Sequence, residues 1–325
     1  MPLVQSEADA MKSLAAGAGA ALILALLVTL SVTGAPGEPA ARKDLGIKSE
    51  DRNPWTNLKL NNGTDSFQFA VVSDNTGGRR VGVFPKAVSK LNLMQPEFVV
   101  SVGDLIDGYS EDPGQWALEW SEFETHIGKL EMPFFLCPGN HDLANVPMRD
   151  EWKRKFGRTY YEFRYKDVLF LIVNSEDPPV YTDKTMPYRI SETQQKWAAD
   201  VLAANADVRW TFVFLHKPTW SYPGVDHEKC GWAGIENALA GRKYTVFAGH
   251  KHNYAKFIRK GMEHYMLATT GGGSRLRGMQ DGEFDHFTWI TLRGDKPVIA
   301  NIMLDGVEGD AIRMLPDPDA PKPAK

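Results

Sequence analysis

From Phe67 onward the chain alternates short apolar runs with longer stretches of mixed polarity. The apolar runs are Phe67 to Val72, Phe98 to Val102, Phe134 to Cys137, Val168 to Val173, Trp210 to Leu215 and Tyr244 to Ala248. Near-continuous apolar runs of this length predict strands covered on both faces. The clearest helix spans Ser191 to Ala203, where Ser191 and Gln194 have capping-box spacing and Trp197, Val201 and Leu202 mark an apolar face. Tyr160 to Tyr165 and Val168 to Val173 are separated by Lys166 and Asp167, which predicts a hairpin. Strands alternating with helices predict an α/β architecture, and no internal repeat interrupts the pattern.

Both ends depart from it. Leu14 to Val32 carries no charge, follows Met11 and Lys12, and precedes Gly34, Ala35, Pro36 and Gly37. Residues 1–36 therefore read as a secretory signal peptide, with an uncleaved membrane anchor as the alternative, because the run approaches the roughly 20 residues that span a bilayer. The expectation is an exported protein, periplasmic or extracellular. Residues 37–60 read as a linker and residues 61–310 as the main folded domain. Residues 311–325 read as a Pro-rich, disordered tail.

Composition narrows the function classes. A formal net charge of -4 argues against a generally basic nucleic-acid surface. Two cysteines make neither a disulfide scaffold nor a zinc knuckle. Cys137 lies in an apolar run and reads as a buried thiol, Cys230 lies in a polar loop, and the sequence gives no reason to pair them.

Five of the apolar runs stop at side chains able to ligate metal. The endings are Ser73-Asp74, Gly103-Asp104-Leu105-Ile106-Asp107, Gly139-Asn140-His141-Asp142, His216-Lys217-Pro218 and Gly249-His250-Lys251-His252. Ligands of open α/β sheets bind beyond the carboxyl ends of the strands, so these endings can meet at one place. His250 and His252, two residues apart, would point to one side of an extended segment. Carboxylate, amide and imidazole together suit Mn, Fe or Zn.

In these motifs, taken in order over Phe67 to Asp305, the sequence resembles the calcineurin-like metallophosphoesterase family. The resemblance implies a four-layer sandwich of two mixed β-sheets flanked by α-helices, with the site at the sheet edge. It implies two divalent metal ions bridged by Asp104, one held also by Asp74 and His252, the other by Asn140, His216 and His250. It implies a phosphoester substrate, attacked by a hydroxide generated on the metal pair. His141 would stay off the metals as the general acid, and Asp107 is the candidate carboxylate that orients it and favours its charged form.

Thr76 departs from the family, which usually has histidine there. On a strand-like segment that side chain would face the same metal as Asp74, so the first metal is expected to bind weakly, with Asn75 substituting only if the backbone turns early. An arginine of the Arg79-Arg80 pair could reach a substrate phosphate, and Trp220 with Tyr222 could wall the substrate site or anchor a loop. His126, His227, His264 and His286 read as structural. Two function classes follow: a phosphomonoesterase or phosphodiesterase, and a metal-binding interaction module that keeps the fold. Thr76 favours the second; His141, Asp107 and the two histidines of the last motif favour the first. Redox chemistry fits this ligand pattern less well.

Overall fold

The alternation of side chains along the buried strands determines the layers. In β1 (Phe67–Val72), Phe67, Phe69 and Val71 enter one apolar cluster while Ala70 and Val72 enter another. β5 (Val168–Ile172) and β8 (Trp210–Phe214) divide the same way: Phe170, Ile172, Phe212 and Phe214 share the cluster of Phe69, whereas Leu169, Leu171 and Val213 face a third. A strand that feeds two cores needs apolar residues at every position, which is why these segments read as unbroken apolar runs.

The computed structural model describes Thr56 and residues 63–177, 186–309 and 311–319. The export segment 1–36 and, Thr56 apart, the linker 37–60 lie outside the described residues. Among the described residues no helix is long and apolar enough to cross a membrane.

The remaining strands are β2 (Val99–Ser101), β3 (Phe134–Phe135), β4 (Tyr161–Tyr165), β6 (Glu176–Asp177), β7 (Arg189–Ile190), β9 (Tyr244–Ala248), β10 (Ala255–Arg259), β11 (Met262–Met266), β12 (His286–Arg293), β13 (Lys296–Met303) and β14 (Val307–Gly309). One six-stranded sheet has the order β14-β13-β12-β1-β2-β3 and the other β10-β11-β9-β8-β5-β4. Both are mixed: β1, β2 and β3 run parallel beside antiparallel β12 and β13, and β5, β8, β9 and β11 run parallel between antiparallel β4 and β10. The cluster shared by the sheets is aromatic, with Phe163 and Phe170 stacked at 4.6 Å and Phe69 edge-on to Phe212 at 5.0 Å. Such pairs add on the order of 1 kcal/mol each beyond their buried area.

Helices cover the outer faces. α1 (Val83–Met94) buries Phe84, Ala87, Val88 and Leu91, the spacing of one helical face, against the first sheet. α2 (Pro113–Ile127) and α3 (Val146–Phe156) join it through Trp116, Trp120, Met148 and Trp152. Asp112 and Asn145 cap these two helices by accepting from Gly114 N and Met148 N. α4 (Glu192–Ala204) and α5 (Trp232–Ala238) cover the second sheet through Ala198, Leu202, Trp232 and Ile235. The expected four-layer sandwich is present. So is the hairpin, whose turn residues Lys166 and Asp167 have φ of 44° and 59°, as a two-residue turn between twisted strands requires.

Some local expectations fail for identifiable reasons. Ser191 does cap α4, but Gln194 does not complete a capping box: its amide turns inward to Asn174 N and Asn174 O. Trp197 and Val201 are only half-buried, because the face that meets the sheet runs through Gln194, Ala198 and Leu202. Cys230 is buried, and neither cysteine forms a disulfide. Residues 311–319 of the tail lie against β10. Lys256 of β10 donates its N–H to Arg313 O and accepts from Leu315 N, while Asp317 and Asp319 pair with the buried Arg259 guanidinium at 2.6 and 2.9 Å. A buried arginine needs carboxylates, and the polar tail supplies two of them.

Candidate metal centre

Parallel strands bring the ligand candidates together. β1 and β2 pair with Val71 beside Val100 and Val72 beside Ser101, so Asp74 and Asp104 follow at the same edge. β8 and β9 pair with Phe214 beside Phe247, and Gly249 N donates to His216 O at 2.9 Å. His216 Nδ1 helps tie the sheets together at this edge by donating to Val102 O at 2.9 Å. The segments do not remain extended: Asp104, His250 and His252 have φ of 57°, 71° and 49°. These left-handed residues redirect the chain at the strand ends. His250 and His252 therefore reach different groups instead of lying on one side of a strand.

Two sets of side chains result. Asp104, His216 and His250 form one, and Asp74, Asp104 and His252 form the other, the ligand atoms of each lying within 4.8 Å of one another. His216 Nε2 lies 3.1 Å from Asp104 Oδ2, 3.0 Å from Asn140 Oδ1 and 3.2 Å from His250 Nδ1. His216 spends its Nδ1–H on the Val102 carbonyl, so Nε2 faces the acceptors Asp104 Oδ2 and Asn140 Oδ1 and needs a proton or a metal ion between them. A cation satisfies such a cluster, and the donor set fits a divalent metal. In the second set His252 Nδ1 donates to Gly273 O at 2.7 Å, and Nε2 faces Asp74 Oδ1 at 3.2 Å. Carbonyl groups thus fix the tautomer of both histidines and aim Nε2 inward.

Titration behaviour reflects the same field. Burial alone would lower the pKa of His216, but the Asp104 carboxylate overrides it and pushes the value up to about 9. Burial likewise works against ionised Asp104, yet His216 holds it well below the usual carboxylate range. His250 falls well below its ordinary value through burial and the neighbouring His216 charge, which keeps it neutral and able to ligate. His252 is raised: the Asp74 carboxylate outweighs burial.

Tight packing excludes larger side chains here. A Cβ at Gly139 would collide with the Asp104 carboxylate, and one at Gly249 with that of Asp74. Asp74 is oriented by Ser73 Oγ and by His250 N at 2.9 Å.

His141 lies beside the metal sets, its Nε2 4.0 Å from Asp104 Oδ2 and its N–H donating to Asp104 Oδ1. Its orienting group is not the one expected. His141 Nδ1 donates to the backbone carbonyl of Asp107 at 2.6 Å, while the Asp107 carboxylate accepts from Thr76 Oγ1 and lies 3.5 Å from Arg79 Nε. Thr76 also departs from expectation. Asn75 N and Thr76 N both donate to Asp104 O, and this turn directs the Thr76 hydroxyl to Asp107. The Asn75 amide donates to Leu105 O.

Neither arginine stands free for a phosphate. Arg80 forms a two-pronged pair with Asp285, and Arg79 meets Glu122 at 2.7 Å. Trp220 is fully buried against Trp232 and His264, so it anchors its loop. His286 is buried between Asn301 Oδ1 and Ala268 N; His126 lies 3.8 Å from Glu122; His227 contacts Tyr188.

A residue given no role from the sequence organises the centre. Asp142 is buried and accepts N–H groups from Asp104, Leu105 and Gly139 at 2.9, 2.9 and 2.8 Å, and from Ile106 at 3.2 Å. It clamps the Asp104 and Asn140 loops to each other. Burial and the nearby Asp104 charge push its pKa up to about 7 against the pull of these donors. The signal was its place in the Gly-Asn-His-Asp motif, directly after the proposed acid.

The pattern of the calcineurin-like phosphoesterase family matches residues 67–254. The chain is 30% identical over 260 residues to the serine/threonine-protein phosphatase CPPED1 of Mus musculus, covering 71% of this chain and 76% of that protein. It is 26% identical over 219 residues to CPPED1 of Homo sapiens, covering 62% of this chain and 65% of that protein, just under two thirds of its length. A dimetal phosphatase of Danio rerio has a similar fold, with a TM-score of 0.56 at 16% identity over 74% of this chain and 96% of that one. With the motifs at one sheet edge and the family pattern matched, the chain belongs to the calcineurin-like phosphoesterase family.

Proposed function

We propose that the chain is a metal-dependent hydrolase of phosphoric esters with a dinuclear centre. The observation that carries this reading is the sharing of Asp104 by two ligand sets. Asp104 with Asp74 and His252 would hold one ion, and Asp104 with Asn140, His216 and His250 would hold the other. Divalent ions there would polarise a phosphoryl oxygen and lower the pKa of a bound water.

The protein groups do the rest. The Asp107 carbonyl can only accept, so His141 carries a proton on Nδ1 in both of its charge states. Nε2, on the side of Asp104, is then the position that gains and gives a proton. His141 in its charged form can protonate the leaving oxygen and return neutral, the role of a general acid. Asp142 holds the loops that carry Asp104 and His141 in fixed relation.

The test is an assay of residues 44–325, stripped of metal and resupplied with Mn²⁺, Zn²⁺ or Fe²⁺, against phosphomonoesters and phosphodiesters. Turnover should require added metal. His141→Ala should keep metal and lose on the order of 10²–10⁴ in rate on alkyl esters, and less on aryl esters, whose leaving group needs no proton. Metal-bound protein inert toward every ester would favour the interaction-module reading.

The apolar run Leu14 to Val32 supports export. Terminal sequencing of fractionated cells should find a non-cytoplasmic product lacking that segment; an intact cytoplasmic chain would refute it.

A further inference from the structure

Tyr109 is held in a conformation that its own burial does not explain. Its φ is 51°, in the left-handed region, and its side chain is 61% exposed. Gly108 before it has φ of 57°, and a Cβ there would collide with the His141 carbonyl. Two successive left-handed residues thus press this loop against the backbone of the Gly-Asn-His-Asp segment. Left-handed backbone costs a non-glycine residue roughly 1–2 kcal/mol. The exposed ring recovers little of that by leaving water. Backbone strain of this kind points to a function when a site depends on the strained residue.

The Tyr109 hydroxyl accepts from Asn140 Nδ2 at 3.0 Å, and its ring meets the His141 imidazole edge to face, with centroids 4.7 Å apart at 89°. The next residue is tied down as well, since Asn145 Nδ2 donates to Ser110 O at 3.0 Å. The amide of Asn140 has two ends of nearly equal shape and opposite character. With Nδ2 on Tyr109, Oδ1 faces His216 Nε2 at 3.0 Å, inside the ligand set. The flipped amide would aim two N–H donors at a cation, which is repulsive.

We infer that Tyr109 is a positioning residue that anchors the Asn140 amide at the ligand set. The inference rests on the dinuclear reading above. Its effect should fall on the ion held by Asn140, His216 and His250, because its hydroxyl meets the Asn140 amide. Phenylalanine would keep the ring against His141 and remove the hydroxyl that anchors the amide.

Mn²⁺ titrated calorimetrically into the full-length, metal-stripped chain tests this without any assay of turnover. Wild type should take up two ions. Tyr109→Phe should weaken one of the two by about ten-fold, the scale of a lost bond to a metal ligand, and leave the other unchanged. Asn140→Ala should weaken the same ion, and the double variant Tyr109→Phe/Asn140→Ala should bind no worse than Asn140→Ala alone. A Tyr109→Phe titration that superimposes on wild type would overturn the inference. So would a loss that adds in full to that of Asn140→Ala, or one that falls on both ions equally. A wild-type chain that takes up two ions yet cleaves no phosphoester would end the hydrolase reading and leave this cycle decisive.

Discussion

The two halves of the centre share Asp104 but are built differently. One half draws on Asn140, His216 and His250, and its central imidazole is fully buried and locked to a carbonyl of the opposite sheet. The other draws on Asp74 and His252, with the His252 side chain 15% exposed. At the position where this family usually supplies one more imidazole, the backbone bonds Asn75 and Thr76 to Asp104 O, and the Thr76 hydroxyl meets Asp107. Counting Asp104 in both, the first half would offer four protein ligands and the second three. The two ions should therefore differ in affinity.

Removing ligands one at a time breaks the comparison most severely. Asp104→Asn weakens the charge and the bridge of both halves, and metal content should fall from two ions to none. His216→Ala should release the ion of the deeper half, and His252→Ala only that of the shallower. Each single histidine should cost more than the roughly 10–100-fold typical of a lost supporting bond. Elemental analysis after dialysis reads all three. If His252→Ala empties both halves, the halves are not separable and bind their ions as one unit.

How much of this was legible depends on where the information lies. β5, β8 and β9 could be read directly because each feeds two cores and shows an unbroken apolar run. β10, β11 and β13 were missed: Lys256, Glu263 and Asn301 interrupt the apolar pattern in strands near the sheet edges. The ligand candidates were legible for the same reason as the central strands, since each follows the end of a run. The orientation of His141 was not, because its partner is a carbonyl, which every residue carries and no letter announces. Nor could the sequence tell that Asp142 gathers four backbone N–H groups, or that Asp317 and Asp319 answer Arg259 across the fold. Motifs identify ligands; the groups that orient those ligands are distributed through the backbone.

The smallest expected effects are the sharpest test of the shallower half. Thr76→Val keeps the shape of the side chain and removes its hydroxyl. Since that hydroxyl donates to Asp107, its loss should leave the Mn²⁺ titration within about two-fold of wild type; neither half loses a ligand. Asp107→Asn keeps the carbonyl that holds His141 Nδ1, so the acid stays aimed at the site. Turnover on alkyl esters should fall by less than about ten-fold, well short of the 10²–10⁴ expected for losing the acid itself. What changes is the environment of Thr76 and Arg79, which lose a charged partner but not their place, because Arg79 still meets Glu122 at 2.7 Å. Paired kinetics and metal titrations on the two variants separate the alternatives. A large loss of metal in Thr76→Val would mean that the hydroxyl turns from Asp107 to the ion when metal binds. A loss in Asp107→Asn as deep as in His141→Ala would return the orienting role to the carboxylate.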